Sequence, residues 1–286
     1  MSEMGQATAG AASSVTEWCR AHVLRACETA VVGQAPFHHA FIENIFPAEF
    51  YDSLRAHLQR HKYGSAVIER NQDNPSFKNR RYNLEHDQGV VARTLHAVFS
   101  DGEVKQALLR KFYLRPTADL CAALRIHEEF EYVYTPAGKF QNIHVDIPPK
   151  FMSFVFYIPE REASEEEELH NATILYDRNL NPNYRARFRA NSVCVFVPHF
   201  ASYHGFSSTM ERDALVMFYV DPAELDTWNQ LRAEDGDSPP FAGIRDAIEA
   251  KLLRHPLIEF GADPERVAAE KATCLVNAPQ GRVMRR

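Results

Sequence analysis

Between His127 and Asp221 the chain is a succession of short segments rich in aromatic and β-branched residues, separated by turns and polar stretches. They read HEEFEYVYTPAGKFQNIHVD, KFMSFVFYIPE, NATILYD, NSVCVFVPH and DALVMFYVD, and the first of them turns at Pro136–Gly138. Runs of this composition, bounded by turn residues, are typical of β-strands. Strands at this density predict an antiparallel sandwich or barrel of about 100 residues.

Helical periodicity flanks this β-rich centre on both sides. The pattern predicts helices at 16–32, from Pro47 through Leu58, and at 90–99, 103–112 and 117–125, with a strand at 37–45 and further helix after residue 221. The polar stretches 65–88, 161–170 and 178–190 are predicted to be loops, and the second contains the acidic run Glu165–Glu168.

These elements predict a mainly β core with flanking helices, an α+β chain in three parts. The parts are an N-terminal segment with helices, a strand and a substrate lid (1–126), the β core (127–222) and a C-terminal helical extension (223–286). We expect them to pack as one structural domain, because the chain shows no repeat and no low-complexity linker.

The motif with the clearest chemistry is His144-Val145-Asp146, on a predicted strand. Residues i and i+2 of a strand point to the same face, roughly 7 Å apart, so this imidazole and carboxylate can hold one metal ion together. His204, just beyond the strand NSVCVFVPH, is the candidate third ligand. Two histidines and one carboxylate leave coordination positions open on Fe(II), which oxygen activation requires.

Two further residues predict a binding site for a carboxylate beside this metal. Arg212 opens the strand DALVMFYVD, eight residues after His204, and its guanidinium can bind a carboxylate through two parallel hydrogen bonds. Tyr157 lies on the strand that follows Asp146, and its hydroxyl can donate to the same carboxylate. Together these groups describe a pocket for a 2-oxo acid.

The order YTPAGKFQNIHVD, FVFYIP, VFVPHFASYHGF and RDALVMFYVD resembles the 2-oxoglutarate- and Fe(II)-dependent oxygenases, and is most similar to their prolyl 4-hydroxylase-like branch. The resemblance implies a double-stranded β-helix, a jelly-roll or cupin-like fold. It implies that iron is held by His144, Asp146 and His204. It also implies that 2-oxoglutarate is bound by Arg212, Tyr157 and Tyr134, with O2 as the second co-substrate.

The chain departs from the family pattern at two places. The family's arginine-x-serine is Arg212-Asp213-Ala214 here, so a serine contact to the carboxylate is missing. The usual glycine pair is replaced within His170-Asn171-Ala172, which leaves the shape of that loop open. Asp146 is retained, and because family halogenases lack this carboxylate, the resemblance favours hydroxylation.

The expected reaction is hydroxylation of an unactivated C–H bond in a small polar metabolite, a biosynthetic or tailoring intermediate, with release of succinate and CO2. The basic and aromatic residues Arg80, Arg81 and Tyr82 lie where this branch builds its substrate lid, and are candidate substrate contacts. The alternatives are a prolyl-type protein or peptide hydroxylase and a non-catalytic metal- or ligand-binding module. Desaturation, ring formation and the oligomeric state, a homodimer included, are left open.

Composition narrows the partners of the chain. A formal net charge of −6 argues against nucleic acid as a partner or substrate, and no stretch approaches the ~20 apolar residues that cross a bilayer. The five cysteines are scattered, without a CxxC pair, and the N-terminus does not resemble a secretory signal. We therefore expect a soluble, cytoplasmic protein.

Overall fold

The computed structural model describes residues 3–64, 68–70, 79–112, 126–147, 149–199, 201–220, 222 and 225–226. Five helices lie within these ranges: α1 (Glu3–Thr29), α2 (Ala48–His61), α3 (Val90–Ser100), α4 (Gly102–Phe112) and α5 (Glu165–His170). None of the helices in these ranges is long and apolar enough to cross a membrane. The helices predicted at 117–125 and after residue 221 fall outside the described residues, apart from isolated positions.

Eleven strands are described within the same ranges. They are β1 (His39–Glu43), β2 (Ile68–Arg70), β3 (Asn79–Asn83), β4 (His127–Thr135), β5 (Phe140–His144), β6 (Lys150–Tyr157), β7 (Thr173–Tyr176), β8 (Pro182–Ala186), β9 (Ser192–Phe196), β10 (His204–Ser207) and β11 (Arg212–Val220).

The strands form two antiparallel sheets. The seven-stranded major sheet has the order β1-β9-β6-β11-β4-β3-β2, and the four-stranded minor sheet has the order β5-β10-β7-β8. Three strands that precede residue 127 therefore join the major sheet, where β1 pairs with β9 and β3 pairs with β4. Gly138 takes a positive φ of 76° in the turn between β4 and β5, a conformation that favours glycine.

Strand alternation separates the two faces of the major sheet. On β11 the side chains of Leu215, Met217 and Tyr219 join the large core between the major sheet and the helices. We call this side of the major sheet its outer face. Arg212 and Ala214 lie on the opposite, inner face, towards the minor sheet. The inner face is closed by a second, smaller core that contains Tyr157, Leu175, Ala186, Phe188 and Phe196.

Two predicted loops contain strands. The stretch 65–88 includes β2 and β3, and the stretch 178–190 includes β8. His204, which was predicted to lie just beyond a strand, begins the short strand β10. Such strands are too short to show clear periodicity, and neighbours distant in sequence decide them.

The acidic run Glu165–Glu168 is likewise helical, as α5, where a solvated loop was predicted. Its capping box pairs the Ser164 side chain with the Glu167 backbone N–H and the Glu167 carboxylate with the Ser164 N–H. The Ser-x-x-Glu spacing is a helix-start signal that the sequence already contained.

Candidate metal centre and its pocket

Three predicted metal ligands meet at one end of the minor sheet. His144 ends β5 and lies directly opposite His204, the first residue of the antiparallel strand β10, and Asp146 follows β5 by two residues. One ligand atom from each side chain lies within 4.8 Å of the others. His204 Nε2 is 3.8 Å from Asp146 Oδ2, and the two imidazole rings are 4.2 Å apart between centroids. The structure thus brings together the three residues that the motif predicted.

The ring of His204 is oriented by its own loop. Its Nδ1 lies 2.9 Å from the backbone carbonyl oxygen of Ser202, and Phe196 packs against the ring with centroids 4.6 Å apart. A hydrogen bond from Nδ1 to a carbonyl leaves the lone pair on Nε2, the atom that faces Asp146. Burial lowers the pKa of His204, which favours the neutral imidazole that a metal ligand needs.

Asp146 is held by two buried donors. Lys150 Nζ and Ser153 Oγ each donate to one carboxylate oxygen, both at 2.6 Å. Burial by itself raises the pKa of Asp146, but the Lys150 ammonium, with the two imidazoles, holds it well below its ordinary value. A carboxylate has about four lone-pair sites, so both bonds leave Asp146 able to bind a metal ion.

These donors fit Fe(II). Two imidazole nitrogens and one ionised carboxylate converge, which is the facial set of non-haem iron oxygenases. Hydrogen bonds with Lys150 and Ser153 orient the Asp146 carboxylate, and one with Ser202 orients the His204 ring. Two of the three ligand side chains are therefore oriented before a metal ion binds.

Arg212 lies on the inner face with only 2% of its surface exposed. Its Nε donates to the backbone oxygen of Asn171 at 3.0 Å, and one terminal nitrogen donates to Thr173 Oγ1 at 2.8 Å. The guanidinium carbon lies 3.8 Å from the centre of the Phe206 ring. Burial lowers the pKa of Arg212, yet an arginine stays protonated in proteins and has five N–H donors. Donors therefore remain for a ligand carboxylate.

Tyr157 shares the surroundings of Arg212. Its hydroxyl donates to Thr173 Oγ1 at 2.7 Å, so the same threonine contacts both predicted anchor residues. A second contact reaches the backbone oxygen of Ala186 at 3.3 Å. Burial raises the pKa of Tyr157 far above neutrality, so the phenol remains a hydrogen-bond donor.

Thr135 was not found from the sequence. It ends β4 directly opposite Arg212, and cross-strand partners in an antiparallel pair share a face. Its side chain is 2% exposed, and its Oγ1 is buried without a hydrogen-bond partner. On the same face, Ala214 stands where the family has its serine hydroxyl. Nothing in the sequence pattern marks Thr135, because its position depends on the β4–β11 register.

The structure does not bring every predicted residue to this pocket. The Tyr134 hydroxyl donates to Glu211 at 2.7 Å, and Lys62 lies 4.2 Å above its ring, on the outer face. Arg80 is opposite Tyr134 and Tyr82 is opposite Tyr132, so both belong to that outer face. Arg81 lies on the inner face, in a 2.5 Å salt bridge with Glu131. A pocket role for Tyr134 stays a prediction.

Asn171 explains one departure from the family pattern. It is fully buried, and its side-chain oxygen accepts from the backbone N–H of Thr209 at 2.8 Å and of Met210 at 3.3 Å. Its backbone oxygen accepts from Arg212. Asn171 thus holds the loop that leads into Arg212, and the replaced glycine pair was the sequence signal for it.

No family model and no curated protein matches the chain. Among solved structures it is similar to a prolyl-4-hydroxylase of Pseudomonas putida, with 14% identity and a TM-score of 0.51, over 70% of this chain and 98% of that one. It is also similar to a prolyl hydroxylase of Trichoplax adhaerens, with 13% identity and a TM-score of 0.51, over 73% of this chain and 91% of that one. At such identities the likeness concerns the fold. The fold is that of the 2-oxoglutarate- and Fe(II)-dependent oxygenases, and the predicted double-stranded β-helix is confirmed.

Proposed function

We propose that the protein is an Fe(II)- and 2-oxoglutarate-dependent dioxygenase that hydroxylates an unactivated C–H bond. The observation that supports this most strongly is one arrangement: a buried arginine and a His-Asp-His set within the same double-stranded β-helix. A non-catalytic metal-binding module has no need of a buried, desolvated guanidinium, because an unpaired buried charge is costly.

In this proposal Arg212 binds the distal carboxylate of 2-oxoglutarate, and the hydroxyls of Tyr157 and Thr135 add hydrogen bonds. Thr135 supplies a hydroxyl near the place where the family serine is replaced by Ala214. The unpartnered Oγ1 of Thr135 supports this role, because buried polar atoms normally have partners.

Iron bound to His144, Asp146 and His204 would supply the oxidising chemistry with O2. The chain's own contribution is position and exclusion of water. Ser202 and Lys150 orient the ligands, and the core around Tyr157 and Phe196 keeps the inner face apolar.

We propose a small polar metabolite as the substrate. The half-buried Arg81–Glu131 pair lies on the inner face and offers charges of both signs to such a molecule. A peptide is the second candidate, because the Trichoplax prolyl hydroxylase was solved with a peptide fragment of hypoxia inducible factor. We place the protein in the cytoplasm, since the described cysteines, Cys19, Cys27 and Cys194, are free and buried.

The co-substrate assignment is tested by anaerobic titration of Fe(II)-loaded protein with 2-oxoglutarate. We expect the weak visible absorption band of chelated 2-oxoglutarate, and no band in His204→Ala. Arg212→Gln should raise the 2-oxoglutarate Kd strongly, whereas Arg185→Gln, at an exposed position of β8, should leave it unchanged. Absence of the band at saturating co-substrate in the unaltered protein would refute the proposed function.

The substrate class is tested by succinate release against metabolite and peptide libraries. A small polar compound that stimulates release above the uncoupled background supports the first candidate. Stimulation by peptides alone overturns it in favour of a prolyl-type hydroxylase. An Arg81→Glu variant with unchanged substrate affinity would remove Arg81 from the substrate site.

A further inference from the structure

A second group of metal-ligating side chains lies on the helical side of the protein. His57 and His61 are one turn apart on α2, so both rings project from the same side of the helix. Asp87 belongs to the turn between β3 and α3, where its backbone N–H donates to the oxygen of Leu84. One ligand atom from each of the three side chains lies within 4.8 Å of the others.

The distances in this group suit a small metal ion. His57 Nε2 is 2.6 Å and His61 Nε2 is 3.9 Å from the same atom, Asp87 Oδ2. Zinc bonds nitrogen and oxygen ligands at about 2.0–2.1 Å in a tetrahedron, which places ligand atoms about 3.3 Å apart. One nitrogen–oxygen separation is shorter and the other is longer than about 3.3 Å. Small rotations of the His57 and His61 side chains would therefore let both nitrogens and Asp87 Oδ2 bond to one zinc ion.

The surrounding contacts hold Asp87 in place. Its Oδ1 accepts from the Gly89 backbone N–H at 2.7 Å, and its Oδ2 accepts from the Tyr82 hydroxyl at 3.1 Å. A carboxylate has about four lone-pair sites, so these two bonds leave Asp87 able to bind a metal ion.

Gly89 allows the loop to approach α2 this closely. A Cβ at this position would lie 2.8 Å from His57 Cε1 and 2.9 Å from Asp87 Oδ1. The His61 ring stacks on Tyr82 with centroids 4.4 Å apart and planes 6° from parallel. The His57 side chain is 9% exposed and that of His61 is 34% exposed, so a metal ion and a water molecule can enter beside His61.

We propose that His57, His61 and Asp87 bind a divalent transition-metal ion, with zinc as the best fit, and a water molecule as the fourth ligand. In the bound state His57 Nε2 coordinates the ion in place of its hydrogen bond to Asp87 Oδ2, and the proton of the neutral imidazole lies on Nδ1. The ion ties α2 to the turn after β3 from outside the His144-Asp146-His204 centre, and it does not depend on the proposed oxygenase function.

The experiment uses the full chain with the first centre removed by His144→Ala and His204→Ala. After treatment with a chelator and dialysis, this variant is titrated with Zn(II) in competition with a chromophoric chelator, and separately with Co(II). We expect one equivalent of zinc and the intense visible absorption of four-coordinate cobalt. Adding His61→Gln should weaken binding by more than about 100-fold, since even outer-shell losses cost about 10–100-fold.

The controls separate ligand loss from misfolding. His86→Ala removes an exposed histidine of the same turn and should leave zinc binding unchanged. His61→Gln alters a partly exposed side chain, and its circular dichroism should match that of the parent variant. Asp87→Asn should abolish the cobalt spectrum. The proposal is overturned if the parent variant binds no zinc, or if His61→Gln and Asp87→Asn bind it as tightly as the parent.

Discussion

Replacing Thr135 with valine tests the pocket most sharply, because it should shift stability and ligand affinity in opposite directions. Valine keeps the shape of threonine and removes only the hydroxyl. In the ligand-free chain the Thr135 Oγ1 is buried without a partner beside Arg212. A buried hydroxyl without a partner lowers the free energy of unfolding of the ligand-free protein. The same hydroxyl increases the affinity for a ligand when it donates a hydrogen bond to the ligand's carboxylate.

The expected sizes follow from these contacts. An unsatisfied buried polar group costs about 1–3 kcal/mol, so Thr135→Val should raise the free energy of unfolding of the ligand-free protein by about that amount. This corresponds to a Tm increase of about 2–4 °C per kcal/mol for a chain of this size class. A hydrogen bond to a charged group contributes about 1.5–3 kcal/mol, so the 2-oxoglutarate Kd should rise by roughly 10- to 150-fold.

Thermal unfolding without ligand gives the first quantity, and anaerobic titration of the Fe(II) form with 2-oxoglutarate gives the second. Thr135→Ser keeps the hydroxyl and should bind 2-oxoglutarate with nearly the original affinity. An unchanged Kd in Thr135→Val, with binding intact in the parent protein, would refute the role of Thr135 alone. Loss of stability in the valine variant would refute the reasoning about the unpaired hydroxyl.

Two further predictions concern charged groups. Lys150→Met leaves the Asp146 carboxylate buried without its cation, so the free energy of unfolding of the metal-free protein should fall by about 3–5 kcal/mol. Added Fe(II) or Mn(II) should reverse most of the decrease in Tm, because the metal ion again provides a positive charge beside Asp146. A decrease in Tm that metal does not reduce would contradict this role of Lys150. The Arg161 guanidinium and the Ser164 N–H lower the pKa of Glu167 to about 2, so the contribution of Glu167 to stability is present above its unfolded value near 4.5 and is lost as the pH falls towards 2. Carboxyl NMR titration should show this low pKa and its rise towards 4.5 in Arg161→Gln; an unchanged value in that variant would contradict the assignment.

Much of the centre could be predicted from local sequence. His144 and Asp146 are two residues apart, although the strand predicted to hold both ends at His144, and Arg212 was predicted from its position after the distal histidine. The metal ligands and Arg212 also follow one another in a recognisable order along the chain. The strands β4, β6, β9 and β11 were predicted from local composition, as aromatic and β-branched runs bounded by turn residues. The acidic helix α5 could also have been predicted from the sequence, because the Ser-x-x-Glu spacing of its capping box is local.

Other parts depended on contacts between distant segments. The strands β3, β8 and β10 have four or five residues, and pairing partners decide them rather than periodicity. The register of β3, β4 and β11 placed Tyr134, Arg80 and Tyr82 on the outer face, although their residue types suited a pocket. A shift of one residue in register reverses the face of every side chain, and the register is fixed only once it is known which strands pair.

The amino-acid sequence by itself determined the ligand types, the β-rich centre and the basic anchor Arg212, because each is written in residue identity and short spacing. Only the tertiary structure decided which groups support them. Lys150 and Ser153 meet Asp146, Thr135 lies beside Arg212, and Asp87 meets two histidines of α2, each through packing between separate elements. Such contacts are set by sheet register and helix docking, which depend on the free energy of the whole fold.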